Sequence, residues 1–220
     1  MSAASRTRSR VLGETGAASS RERARDLARR PSRGPSRATG AGVAIALPDP
    51  PLVDAAAGIA LRPWTAATGD VAALVRAWSD PAVAAFTAVP EDGSAAAAAR
   101  WLRGDPARRA AGRCLDLVVG PLGGGPAVLG EVGLRHVDRV RRRAEIGWWI
   151  AAEHRGHGLA SVATRLVAGW ALAHAGGLDH VWARVDAANV ASARVAAAAG
   201  FRALGRADGC VVWARSRPAG

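Results

Sequence analysis

The sequence predicts one layered α/β domain over residues 59–218, in which helices cover a central mixed β-sheet, preceded by an Arg-rich extension and linker at 1–55. Two observations support this α+β arrangement. Short apolar segments with strand-like alternation flank a long amphipathic helix at 158–175, and a strand–helix–strand unit of this kind is typical of a layered sheet. Half of the 220 residues are hydrophobic, which is enough to bury a core.

Residues 59–150 are predicted to form a strand, two helices and three further strands. The first strand begins at Ile59 and ends at Pro63. Asp70 is predicted to cap the first helix, whose apolar residues recur at helical spacing: Val71, Leu74, Val75 and Trp78. The remaining elements are a helix at 94–102 and strands at 115–119, 128–137 and 144–150.

Residues 158–218 complete the predicted order β-α-α-β-β-β-α-β-α-β-β. Gly176-Gly177 ends the helix at 158–175, and a strand follows at 181–185. Asn189 is predicted to cap a short Ala-rich helix that ends at Gly200, Phe201 opens the next segment, and the last strand lies at 210–213.

The net charge of +12 is concentrated at the N-terminus. Residues 1–40 hold ten Arg and three acidic residues, so they account for seven of the twelve charges. Because the first ~45 residues are rich in Arg, Ser, Gly and Ala and have no apolar period, we expect the extension and linker at 1–55 to be disordered. Two interpretations stay open, a solvated extension and a tether for nucleic acid or another acidic partner.

The cysteines and the hydropathy pattern limit the location of the protein. Cys114 and Cys210 form neither a disulfide framework nor a metal-ligand pattern, which indicates a reducing compartment and no metal site. No apolar stretch approaches the ~18 residues of a membrane helix, and no secretory signal is recognisable. We therefore expect a cytoplasmic protein without membrane attachment, either a monomer or a homodimer.

A glycine turn, Arg155-Gly-His-Gly-Leu-Ala160, joins the strand at 144–150 to the helix at 158–175. The glycines allow backbone N–H groups to converge at the helix N-terminus, where they favour an anion. Arg155 can add a charge-assisted hydrogen bond to a phosphate. The spacing fits neither the dinucleotide fingerprint nor a Walker loop, and on its own it is equally compatible with simple packing at a helix start.

Three segments in order resemble the GNAT superfamily of N-acetyltransferases. Arg155-x-x-Gly158-x-Ala160 is similar to the Arg/Gln-x-x-Gly-x-Gly/Ala motif of that superfamily. The lead-in Ala144-Glu-Ile-Gly-Trp-Trp-Ile150 and the later Asn189-Val-Ala-Ser192 and Ala199-Gly200-Phe201 look like its RimJ/RimL-type branch. The resemblance spans residues 59–216, nearly the whole predicted domain.

The resemblance implies a GNAT-like acyl-CoA N-acyltransferase fold with acetyl-CoA as cosubstrate and a primary amine as acceptor. A protein N-terminal α-amine is the first choice of acceptor. The strands at 144–150 and 181–185 are expected to splay apart so that the pantetheine arm fills the gap between them. Asn189 is either a helix cap or a pantetheine contact, and His157 is either a phosphate donor or a solvated turn residue. The implied coenzyme-binding residues are Trp149, Ile150, Arg155, Gly156, His157, Gly158, Leu159, Ala160, Asn189 and Ser192.

Two carboxylates are candidates for the base that deprotonates the amine, since an amine must be neutral to attack a thioester. Glu145 is the first choice and Glu131, on the neighbouring strand, the second; either can instead be solvated or paired with Arg. The sequence contains no Tyr, so the acid that protonates the thiolate in many relatives is missing. Ser192 is the family-consistent substitute, as an acid or as a hydrogen-bond partner of the sulfur. His136 is interpreted as structural.

Two other functions remain open at the level of sequence. One is a small-molecule acetyltransferase that acts on an aminoglycoside, a polyamine or an amino acid. The other is a non-catalytic acyl-CoA-binding regulatory domain, which would bind the coenzyme without turnover. The interpretation as a nucleic-acid-binding protein is supported by the Arg-rich tail alone, because the tail lacks interleaved aromatic residues.

Overall fold

An eight-stranded mixed sheet organises the computed structural model, which describes residues 24, 26, 43–173 and 177–218. The strands follow the order β1-β2-β3-β4-β5-β6-β8-β7, and within the described residues all neighbours are antiparallel except β5 and β6. The strands are β1 Val53–Asp54, β2 Ile59–Pro63, β3 Cys114–Pro121, β4 Gly130–Asp138, β5 Arg143–Ile150, β6 His180–Asp186, β7 Arg202–Ala207 and β8 Cys210–Ser216.

Six α-helices and one short 3-10 helix, Ala152–His154, lie between these strands in the described part of the chain. The α-helices are α1 Thr68–Ser79, α2 Pro81–Ala84, α3 Ala95–Arg103, α4 Asp105–Ala110, α5 Leu159–Ala173 and α6 Val190–Ala198. The α/β fold class and the predicted order of elements are confirmed, with β1, α2 and α4 as additions. These three have between two and six residues, which is too short for a periodic signal. The predicted end of α5 at Gly176 lies outside the described residues.

One face of the sheet, here called the α5 face, carries the main core. Register places Leu115, Leu134 and Ile146 side by side across β3, β4 and β5, and each is almost fully buried. Helix α5 covers them with a stripe of small and branched residues that includes Ala163 and Val167, both fully buried. The small residues let the helix approach the sheet closely, which fixes the position of the glycine turn before it.

The opposite face, here called the α1 face, packs against α1 and α3. Its core includes Trp64, Leu74, Val118 and Trp149, and the two indole rings lie 6.4 Å apart. The prediction that Asp70 caps α1 is wrong. Ala67 occupies the cap position without a side-chain bond.

Asp70 instead lies in the first turn of α1 and reaches back toward the preceding strand. Its Oδ2 accepts a hydrogen bond from the amide of Thr65 at 2.8 Å, and its carboxylate pairs with Arg62 at 2.7 Å. The buried carboxylate therefore fastens the start of the helix to the end of β2.

Residues before Ile59 also contribute to the fold. Ile45 is 2% exposed within the main core, and its amide donates to the carbonyl of Arg109 at 3.1 Å. Farther upstream, helical Ala24 is fully buried against the α1 face, beside Trp182, Val212 and Ala214. The nearly buried Arg143 donates to the carbonyl of Asp26 at 2.8 Å and to its Oδ2 at 3.0 Å.

These contacts fall within the stretch for which sequence analysis predicted disorder, whereas residues 1–23, 25 and 27–42 lie outside the described residues. The apolar surface that Ala24 covers belongs to β6 and β8, at the far end of the chain. A contact with such distant residues cannot be predicted from the hydrophobic pattern of the N-terminal sequence.

The Ala24→Asp substitution should destabilise the protein, because it places a charge against the apolar surface around Trp182. We expect a loss of about 1–3 kcal/mol in the free energy of unfolding. Urea denaturation measures the loss in free energy of unfolding. The Trp emission should shift to longer wavelength as Trp182 becomes exposed to solvent. Ala66→Asp, at an exposed loop position, is the matched control. Equal effects of the two substitutions would contradict the packing of Ala24.

Among the described residues, every helix is too short or too polar to span a lipid bilayer.

Candidate active site

A cleft opens where β5 and β6 part. The two strands pair only at Arg143–His180, Ala144–Val181 and Glu145–Trp182. Beyond this last pair, here called the vertex, the described part of the chain offers Ile146–Ile150 no partner on the β6 side, while this segment stays paired with β4. A cavity of ≈ 1010 Å³ occupies the space between the diverging strands. The splay that the family resemblance implies is therefore present.

The glycine turn lies at the wide end of this cleft. Gly156 and Gly158 have φ values of +84° and +75°, a left-handed conformation that disfavours side chains. A Cβ atom at either position would meet no atom within 4 Å, so both backbones face open space. Among the described residues, the amides of Gly156, Gly158, Leu159 and Ala160 have no hydrogen-bond acceptor. Four free donors at the start of the 15-residue helix α5 form a site suited to a diphosphate.

Arg155 is held by protein groups rather than aimed freely into the cleft. Its Nε donates to the carbonyl of Ile150 at 2.9 Å, and its Nη2 donates to Asp80 Oδ2. Asp80 also accepts from the amide of Ala82 and so caps α2. Burial opposes ionisation of Asp80, but the amide of Ala82 and the guanidinium of Arg155 lower the pKa of this carboxyl. Arg155 therefore ties the α1–α2 corner to the glycine turn.

The cleft brings together Glu145 and all but one of the predicted coenzyme-binding residues. His157 is the exception: it is exposed, and its Nδ1 lies 3.3 Å from the carbonyl of His154. Asn189 caps α6 by accepting from the amide of Ser192 at 2.9 Å, as its cap interpretation predicted, and both side chains also border the cleft. The residues that line the cavity are Glu145, Trp149, Ile150, Arg155, Gly156, Gly158, Leu159, Ala160, Asn189 and Ser192.

Glu145 lies at the vertex on the α1 face and is 8% exposed. Its Oε2 is 2.7 Å from Nδ1 of His136, and its Oε1 is 3.4 Å from Nε of Arg184. Burial by itself would raise the pKa of Glu145, but the hydrogen bond from His136 and the positive charge of Arg184 lower it below its usual range. The carboxylate is thus ionised at neutral pH, and a basic side chain lies on each side of it.

Comparison with known proteins fits this geometry. Residues 59–202 match the acetyltransferase (GNAT) domain, which is well over half of the chain. The chain belongs to the GNAT family. It is an acetyl-CoA-dependent N-acetyltransferase with acetyl-CoA as cosubstrate. None of the curated proteins searched matches it significantly.

Solved acetyltransferase structures share the fold. RimJ of Mycobacterium smegmatis, in complex with CoA-disulfide, is 25% identical with a TM-score of 0.63, over 76% of this chain and 85% of that chain. RimL, a ribosomal L7/L12 α-N-protein acetyltransferase, is 15% identical with a TM-score of 0.62, and the match covers 75% of this chain and 93% of RimL. Spermidine N-acetyltransferase of Vibrio cholerae, in complex with CoA and spermine, is 16% identical with a TM-score of 0.60. This match covers 73% of this chain and 96% of that enzyme.

Glu131, the second candidate base of this acetyltransferase, does not line the cleft. It is 8% exposed, and its Oε2 accepts from Nε1 of Trp64 at 2.9 Å. Burial, together with the carboxylate of Asp116, raises the pKa of Glu131 from an ordinary value of 4.5 to about 8. At neutral pH Glu131 is thus a protonated group inside the α1-face core.

The stability of the acetyltransferase should fall as the pH rises from 5 to 9. Folded Glu131 binds its proton more tightly than the unfolded chain does, so its contribution is complete below pH 4.5 and is lost as the pH passes about 8. We expect a loss on the order of a few kcal/mol, measured by urea denaturation at constant ionic strength. Glu131→Gln should flatten the profile. Parallel profiles for the two proteins would contradict this assignment.

Sequence analysis missed two features of the acetyltransferase site. His136 was interpreted as structural, but its ring borders the cleft and contacts Glu145. The segment 82–88, which includes the half-exposed Phe86, lines the other side of the cavity. The position of His136 depends on a strand irregularity. Phe86 follows the four-residue helix α2 and bonds through its amide to the carbonyl of Val83. Neither feature leaves a periodic signal in the sequence.

Proposed function

We propose that the chain acetylates the α-amine of a protein N-terminus. The observation that carries this proposal is the charge around the vertex. Arg135 and Arg184 border the cleft there together with a single carboxylate, Glu145, and the cavity as a whole is lined by four Arg and two acidic side chains. A positive surface of this kind repels polycationic acceptors and attracts an N-terminus that is followed by acidic residues.

The orientation of acetyl-CoA follows from the two ends of the cleft. The free amides of Gly156, Gly158, Leu159 and Ala160 would hold the diphosphate at the wide end. Residues 146–150 span roughly 16 Å at an ordinary strand rise, so a pantetheine arm beside them leads toward the vertex. The unpaired edge of β5 offers backbone groups to this arm. Acetyl-CoA supplies the activated acetyl group, and the vertex is the place where an amine would meet it.

The vertex also offers the proton acceptor that the reaction needs. An α-amine has a pKa of about 8 and a lysine amine about 10.4, so both are largely protonated at neutral pH. The ionised Glu145 and the neighbouring His136 lie where a proton can be taken from the acceptor. Because an α-amine needs less deprotonation than a lysine side chain, it fits a base of modest strength.

RimL, a ribosomal L7/L12 α-N-protein acetyltransferase, shares the fold at 15% identity, so this fold can accommodate a protein N-terminus as acceptor. Spermidine N-acetyltransferase shares the fold at 16% identity, and a polyamine would have to approach Arg135 and Arg184. A regulatory domain that binds acetyl-CoA without turnover would not need the His136–Glu145 pair beside the reacting end.

An acceptor panel tests the proposal. CoA release from acetyl-CoA is measured with the full chain and peptides that differ in their first residues, alongside spermidine, an aminoglycoside and free amino acids. We expect a higher kcat/KM with peptides, and among them with peptides that carry an acidic residue after the N-terminus. Preferential turnover of spermidine or the aminoglycoside would overturn the choice of acceptor. Binding of acetyl-CoA without turnover of any amine would favour the regulatory class.

A further inference from the structure

His136 occupies an irregular position in β4. The pairing of β4 with β5 shifts register between Arg135 and Asp138, and His136 has a φ of 49°, in the left-handed region. A regular strand would place His136 on the α5 face, opposite to Arg135. The bulge instead brings its ring to the carboxylate of Glu145 on the α1 face, at 2.7 Å. Bulges of this kind often re-aim a side chain beside an active site.

The backbone of His136 is conformationally unfavourable for a residue with a side chain. A left-handed φ costs energy for residues other than Gly, although Asn, Asp and His adopt it more often than the rest. Such conformations persist where the surrounding structure holds them, often at functional sites. Here the conformation serves to place the imidazole against Glu145 and within the cleft.

The hydrogen bond also decides which ring nitrogen can accept a proton. An ionised carboxylate can only accept, so Nδ1 of His136 must donate to Glu145. In the neutral ring the lone pair then lies on Nε2. Within the described residues Nε2 has no protein partner, and the side chain is 37% exposed at the cleft. Arg184 holds Glu145 in place, and Glu145 orients the imidazole of His136 through its contact with Nδ1.

We propose that His136 is the proton acceptor for the attacking amine, with Glu145 as the residue that positions it. The inference rests on the proposed amine acetylation. One proton passes from the ammonium group of the acceptor to Nε2 of His136 and then to water. The neutral nitrogen forms a bond to the acetyl carbon while the C–S bond breaks, and a second proton from that nitrogen ends on the thiolate sulfur.

The charges around the ring come from three strands: Arg135 on β4 beside it, Glu145 on β5 and Arg184 on β6. Of these groups, the imidazole is the one with a lone pair placed to accept a proton from an amine. A protonated ring cannot act as a base, so the kcat of the wild-type protein should fall as the pH is lowered.

His136→Asn separates the two roles of the ring. The Asn side chain can still donate to Glu145 and tolerates a left-handed φ, but it has no basic nitrogen. We expect kcat to fall by about 100-fold, the acid limb of its pH profile to disappear, and the KM for acetyl-CoA to stay nearly unchanged. A variant with wild-type kcat and an unaltered acid limb would overturn the proposal and leave Glu145 as the base.

His136→Gly gives a second test, since Gly adopts a left-handed φ without strain. Its rate should be low and should recover in part when free imidazole is added, whereas an undiminished rate would overturn the proposal. The outcome can be separated from that of the proposed function. A wild-type protein that acetylates no amine overturns the proposed function and this inference together, whereas an active His136→Asn variant overturns only the inference.

Discussion

Replacing Gly158 by Asp should weaken the binding of acetyl-CoA by roughly two to three orders of magnitude. Gly158 borders the cleft beside the free amides at the start of α5, and its missing Cβ faces open space. A carboxylate there would lie beside the diphosphate, and two like charges about 4 Å apart repel by roughly 4 kcal/mol near a protein surface. Isothermal titration calorimetry with CoA measures the effect.

Gly158→Asn is the matched control, because Asn has nearly the same shape as Asp and tolerates the φ of +75°. It carries no charge, so we expect it to lose less than about tenfold in affinity, mainly through backbone strain. The difference between the two variants should shrink as salt is added. If both variants bind CoA as the wild type does, the diphosphate lies elsewhere and the glycine turn only starts the helix.

Replacing Glu145 by Gln should lower kcat by about 100-fold at neutral pH and change the affinity for acetyl-CoA little. Gln keeps the size and an acceptor oxygen but removes the charge that orients His136 and pairs with Arg184. The substitution also lies at the vertex, far from the amides that would bind the diphosphate. Steady-state kinetics with the best peptide acceptor, together with CoA titration, separate the two effects.

Glu131→Gln is the control on the neighbouring strand. Because its raised pKa keeps Glu131 protonated at neutral pH, Gln is a close mimic, and kcat should stay within about threefold of the wild type. A large loss at Glu131 with none at Glu145 would reverse the assignment of the two carboxylates. Unchanged rates in both variants would remove both from the mechanism.

The proposed coenzyme side of the site was predictable from the sequence because it depends on neighbouring residues. A strand, two glycines and the start of a helix are local features, and together they place free amides at the start of α5. The cap at Asn189 and the positive φ of Gly200 were predictable for the same reason.

The acceptor side was less predictable because its contacts join distant parts of the chain. The two carboxylates look alike in the sequence, yet Glu131 is buried under Trp64 and Glu145 reaches the cleft. Arg155 suits a phosphate by its charge, but Asp80, 75 residues away, engages its guanidinium. His136 reaches Glu145 because of a bulge in β4 that the sequence pattern does not predict.

The sequence by itself determined the order of the elements, the glycine turn and the membership in an acetyltransferase family, since hydrophobic period and turn chemistry act over a few residues. Only the tertiary structure decided which carboxylate meets the cleft, which histidine lies beside it, and which surface Ala24 covers. The physical reason is that burial and pairing are set by strand register and by contacts between distant segments, and these select among chemically equivalent side chains.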